Sequence, residues 1–119
     1  MKFKTSDHYY ATVMEMKGKF LGSVDGDAFR DAIQTLKEQG KTKLVVDLSG
    51  TDMIDSTGIG ALIGALTSMR NAGGDVRIAC LKKRIKNLFL MTRLLGPVFD
   101  DYDTVEEAVA SYKESTEPA

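Results

Sequence analysis

Several kinds of chemistry are excluded by what this 119-residue chain lacks. It has one histidine and one cysteine, too few for most His/Cys metal sites. Cys80 cannot form an internal disulfide, which fits a reducing compartment such as the cytoplasm. No apolar run approaches the roughly 20 residues needed to cross a bilayer, and the opening MKFKTSDHYY has no apolar core of the secretory kind. Neither sign of charge dominates. The 16 basic and 17 acidic side chains leave a net charge of -1, so nothing calls for nucleic acid or an anionic membrane. Repeats, linkers and low-complexity tracts are absent too. What is present is an ordinary globular mixture, 43% hydrophobic and 28% charged. That is enough for one domain, residues 1–119, to bury a core without metals or cross-links.

Periodicity orders the elements. Tyr10–Gly18 (YATVMEMKG) reads as a strand, with KFK before it as a short partner strand. DGDAFRDAIQTLKEQG places Phe29, Ile33 and Leu36 on one helical stripe with Ala32 beside them, and Gly40 is placed to stop it. Lys43–Leu48 is a continuous apolar strand, as in a parallel sheet covered on both faces. A helix is predicted from Ser56 to about Asn71, ended by NAGG. DVRIAC is the next buried strand. KKRIKNLFLMTRL reads as a helix through Ile85, Leu88, Phe89 and Leu95, closed by Gly96-Pro97. VFDDY is a candidate edge strand. Thr104-x-x-Glu107 is a capping box opening a last helix, and residues 114–119 are expected to fray. The order β-β-α-β-α-β-α-β-α argues for an α/β domain with a mixed, mostly parallel sheet and about four helices. His8 reads as an ordinary strand residue, and Cys80 as a packing residue.

Ser56 stands where strand hands over to helix, at the carboxyl edge where such sheets bind ligands. A hydrolase serine needs a nearby base and usually a Gly-x-Ser-x-Gly elbow; here the motif is Asp55-Ser56-Thr57-Gly58 and the one histidine is distant in sequence. Asp-Ser-Thr-Gly also occurs in aspartic proteases, but the βαβ order is wrong for that fold. Gly58, Gly60 and Gly64 imitate a dinucleotide fingerprint, yet SGTDMID intervenes after the strand and no Gly-Lys-Ser/Thr follows. On a helical wheel Ile59, Leu62, Ile63, Leu66 and Met69 form the core face. Ser56, Thr57, Gly60, Gly64, Thr67 and Asn71 form the other, which carries no long side chain. Two readings of that bare face stand side by side: close packing against a neighbouring element, or a smooth surface for another protein. A hydroxyl in the first helical turn can cap free N–H groups. The same place tolerates a phosphate, which would set about -1.5 to -2 charges beside Asp55 and Asp52.

The segment KLVVDLSGTDMIDSTGIGALIGALTSMRNAGGDVRIAC resembles the bacterial anti-sigma factor antagonists, small STAS-domain proteins, and the likeness runs from about Lys17 to Val109. The resemblance implies a cytoplasmic partner switch, not an enzyme, with no cofactor, no nucleic acid, no membrane and no small-molecule ligand expected. Unphosphorylated, such a protein binds an anti-sigma factor that is also a serine kinase of the histidine-kinase-like ATPase type. The kinase phosphorylates the serine after the aspartate, here Ser56, and the modified antagonist releases it. A PP2C-type phosphatase resets the switch. Asp55, Thr57, Gly58, Gly60 and Gly64 would line the contact. Where many members have Gly-Glu-Leu/Ile-Asp, this chain has Lys19 at the acidic second position and Leu21 at the aspartate, so Asp25 or Asp27 is expected to substitute. A STAS module for ligand sensing or transporter regulation is the alternative. Lys82, Lys83 and Arg84 should leave the sheet at the edge that carries Ser56. Either they form a solvated face or they meet an acidic partner or the Ser56 phosphate.

Overall fold

The computed structural model describes residues 1–113; the fraying expected of 114–119 lies outside them. The chain forms β1 (Lys2–Asp7), β2 (Thr12–Phe20), α1 (Gly22–Glu38), β3 (Lys43–Asp47), β4 (Thr51–Ile54), α2 (Ser56–Asn71), β5 (Asp75–Ala79), α3 (Lys83–Met91), β6 (Asp101–Tyr102) and α4 (Val105–Ser111). The sheet order is β1-β2-β3-β5-β6, with β4 pairing the second half of β2. Among the described residues only β1 runs antiparallel to its neighbour. This is the single α/β domain with a mostly parallel sheet and four helices that the periodicity predicts. No helix among the described residues is long and apolar enough to cross a membrane.

The core divides by sheet face. Alternation along β2 sends Met14, Met16 and Phe20 to one side, where Phe29, Ile33 and Leu36 of α1 and Leu62, Leu66 and Met69 of α2 cover them. Val13, Val45 and Ala79 point to the other side, under Ala108 and Val109 of α4 and Tyr112 just after it. The buried Tyr112 hydroxyl donates to the Leu44 carbonyl at 2.7 Å, so its polar end is satisfied inside an apolar layer.

Four local expectations change. KFK extends to a full six-residue strand, because β2 offers six paired positions. A strand, β4, occupies what reads as a turn. β3 stops at Asp47, the chain turns through Leu48, Ser49 and Gly50, and β4 resumes the pairing with Gly18–Phe20. The buried Thr51 hydroxyl donates to the Met16 carbonyl at 2.8 Å and anchors that restart. α3 ends at Met91, short of Leu95. Arg93 takes φ +58°, and the Leu94 N–H reaches back to the Phe89 carbonyl at 2.9 Å, a helix-closing geometry normally supplied by glycine. His8 is exposed in the β1–β2 turn, its N–H donating to the Ala11 carbonyl at 2.8 Å.

Candidate functional site

β4 delivers Asp55 and Ser56 to the carboxyl edge of the parallel strands. Asp55 is the N-cap of α2, with extended backbone angles and a side chain that accepts the Gly58 N–H at 2.6 Å. The same oxygen, Oδ1, accepts the Gly22 N–H at 3.0 Å. One carboxylate therefore closes the first turns of both α1 and α2, satisfying orphan donors on each. These two N–H groups hold its pKa below the ordinary carboxylate value. The cap expected of the Ser56 hydroxyl falls to Asp55 instead. Ser56 is exposed, and its hydroxyl makes no hydrogen bond among the described residues.

The start of α1 explains how the chain manages without an acidic N-cap. Leu21 occupies that position and makes no side-chain cap. Its N–H is accepted by Asp25 Oδ2 at 3.2 Å, and Asp55 takes the next donor from across the fold. Asp25 is thus turned onto its own helix, its side chain only 13% exposed, while Asp27 is exposed beside Arg30 at 3.3 Å. Gly22 is obligatory here: a Cβ would lie 2.4 Å from the Thr57 carbonyl carbon and 2.6 Å from the Gly58 nitrogen.

The wheel divides α2 nearly as predicted. Ile59, Leu62, Leu66 and Met69 are buried, joined by Gly58 and Ala65, while Ile63 is only partly covered. Ser56, Thr57, Gly60, Gly64, Thr67 and Asn71 are all exposed. The glycines separate into two kinds. A Cβ on Gly58 would meet the Phe20 carbonyl oxygen at 2.7 Å, so Gly58 serves packing and does not reach the surface expected of a contact residue. A Cβ on Gly60 or Gly64 would meet nothing within 4 Å among the described residues. Close packing therefore does not account for those two, and the bare face looks onto open space. α1 supplies the opposite wall of a groove of ≈ 640 Å³, lined among others by Gly26, Phe29, Ile33, Thr57, Gly60 and Gly64. The α1 side of this groove was not legible from the α2 pattern.

Of the cationic run, Lys82 pairs with Asp52 of β4 at 2.9 Å, with both side chains still exposed, so the surface pair leaves Lys82 open to solvent. Lys83 and Arg84 remain exposed. Serine-histidine catalysis finds no geometry. His8 precedes the start of β2 while Ser56 follows the strand paired with its end, a separation of roughly 26 Å along the strand. The Cys80 thiol is pushed up by burial and then by Asp47, which opposes reactivity.

Comparison with known proteins agrees with this architecture. Residues 4–108 match the STAS domain family. An anti-sigma factor antagonist from Mycobacterium paratuberculosis superposes with a TM-score of 0.81 at 20% identity, covering 94% of this chain and 93% of that one. The phosphorylated form of SpoIIAA from Bacillus gives 0.71 at 21%, covering 94% and 100%. A sulfate transporter family protein from Wolinella succinogenes gives 0.75 at 18%, covering 89% and 87%. With the fold, the family match and these neighbours in agreement, the chain belongs to the STAS domain family.

Proposed function

We propose that this chain is an anti-sigma factor antagonist that works in the cytoplasm as a phosphorylation-controlled binding module, without catalysis of its own. The observation that carries the reading is Ser56: an exposed hydroxyl, relieved of capping by Asp55, at the end of a helix face whose glycines have no packing duty. In the unmodified state a partner's backbone can lie close to Thr57, Gly60 and Gly64. The expected partner is an anti-sigma factor with serine kinase activity. In the transfer step Ser56 Oγ attacks the γ-phosphorus of ATP, the bond to the β-phosphate oxygen breaks, ADP leaves, and the hydroxyl proton passes to a base on the kinase.

The electrostatics support release. Asp55 is ionised at neutral pH, and two backbone N–H groups hold its pKa below the ordinary carboxylate value. Its Oδ1 and its carbonyl already occupy the Gly58 and Ile59 N–H groups, so less of the helix N-terminus is left to neutralise a new anion. A Ser56 phosphate of about -1.5 to -2 charges then places bulk and repulsion on a face that was small and uncharged. A PP2C-type phosphatase would restore it. Leu21 and Lys19 make the rim less acidic than the family pattern, which points to a partner of different surface charge. Incubation with the cognate kinase and ATP should add one phosphate to the intact mass, and Ser56→Ala should abolish the gain while still binding the partner. An unmodified mass, or phosphate retained in Ser56→Ala, sinks the reading.

The second reading, a STAS module serving ligand sensing or transport, draws on the sulfate transporter neighbour and on the α1–α2 groove, whose volume suits a small ligand. Saturable binding of a nucleotide or anion without any kinase would favour it.

A further inference from the structure

The segment 81–99 carries five basic residues (Lys82, Lys83, Arg84, Lys86 and Arg93) and no acidic one, while the rest of the chain holds 11 basic and 17 acidic residues. Most of this charge sits at the start of α3, where cations oppose the helix macrodipole, and no side chain caps that end. Local helix stability does not ask for this arrangement. Two of the five are paired at the surface with carboxylates of this chain, Lys82 with Asp52 at 2.9 Å and Lys86 with Asp101 at 3.6 Å. Lys83 and Arg84 are exposed and make no ion pair among the described residues. At the other end of the same helix Leu90 and Met91 are 53% and 83% exposed. Helical spacing sets Lys83 in line with Leu90, and Arg84 in line with Met91, seven residues apart, or about 10 Å along the axis.

We infer that the outer surface of α3 is a second docking surface, for an acidic protein segment that carries an apolar anchor. Carboxylates on that segment face Lys83 and Arg84, and its apolar side chain covers Leu90 and Met91. A protein occupant fits better than a lipid surface. Interfacial helices insert an apolar stripe, but the stripe of α3, Ile85 and Phe89 with Leu88, is committed to the core. The acidic remainder of the chain would also be repelled by an anionic bilayer. This surface does not depend on Ser56.

The test titrates the isotope-labelled full chain, without kinase or ATP, with a synthetic helical peptide of about 15 residues bearing leucine on one stripe and glutamate on its flanks. Amide shifts are expected at Lys83, Arg84, Leu90 and Met91. Lys83→Glu with Arg84→Glu should weaken binding at least about tenfold, as should Leu90→Ala with Met91→Ala, both variants keeping the parent Tm because these side chains are exposed. Absent shifts overturn the inference. So does equal affinity in the charge-reversed variant, or equal affinity for an all-glutamate peptide, which leaves the apolar pair without a role. Binding to vesicles of equal phosphatidylglycerol and phosphatidylcholine, with none to the peptide, assigns the surface to lipid instead.

Discussion

Gly58 and Gly60 stand two residues apart on one helix, and the molecule uses them for opposite purposes. Gly58 lies against the end of β2, so close to the Phe20 carbonyl that no Cβ fits. Gly22 does the same from the α1 side, against the first turn of α2. Together with the Asp55 carboxylate they lock the two helix starts to one another and to the strand edge. Gly60 and Gly64 face solvent, touch nothing at the Cβ position, and weaken the helix that carries them. The difference teaches that a glycine-rich motif can hold two layers of meaning, one for the fold and one for whatever meets the surface.

The largest effect should come from the inner layer. Gly58→Ala forces backbone apart and should cost about 2 kcal/mol in urea unfolding; an unchanged midpoint would show that the strand end yields and that the inner layer is not rigid. The outer layer should respond with the opposite sign. Gly60→Ala and Gly64→Ala should each raise stability by about 1 kcal/mol while weakening the partner complex. Stability gained with affinity intact would break the comparison, because those glycines would then have no surface role. Tyr112→Phe gives a reference on the far sheet face. It removes the hydrogen bond to the Leu44 carbonyl and should cost about 1 kcal/mol without altering partner affinity. A change in affinity would mean that the two faces communicate.

The smallest effect is the charge contribution of the Asp55 clamp, present at neutral pH and lost in acid. Asp55 has a folded-state pKa below its ordinary 3.8, so its contribution is complete above that value and is lost as pH falls through the folded pKa. Asp55→Asn should lower Tm at neutral pH, with the gap to the parent closing on acidification below about pH 4. A gap independent of pH would show that the clamp does not act through its charge.

Parts of the site were legible because they depend on local pattern. Helix α2 runs from Ser56 to Asn71 as the periodicity predicts, and its bare face is exposed as the wheel requires. The position of the cap is off by one: the pattern puts a hydroxyl at Ser56 in reach of the free N–H groups, but the carboxylate of Asp55 takes the Gly58 N–H. β4 leaves no mark in the sequence because four residues with polar Thr51 and Asp52 have no alternation of their own, and the pairing comes from β2. α1 begins at Gly22, earlier than the run from Asp25 suggests, because its donors are satisfied by Asp55, 33 residues away. α3 stops early because Leu94 turns back to a buried position.

The sequence by itself determined the order of strands and helices apart from β4, the core stripes and the placement of a small hydroxyl-bearing motif at a strand-to-helix junction. Each of these follows from spacing along one chain segment, where 2.0 and 3.6 residue periods decide which side chains share a face. Only the tertiary structure decided which glycines are buried, that one carboxylate caps two helices, and that Lys82 pairs with Asp52 while Lys83 and Arg84 make no ion pair among the described residues. Those outcomes rest on contacts between segments distant in sequence, and close approach in space leaves no periodic trace in either partner.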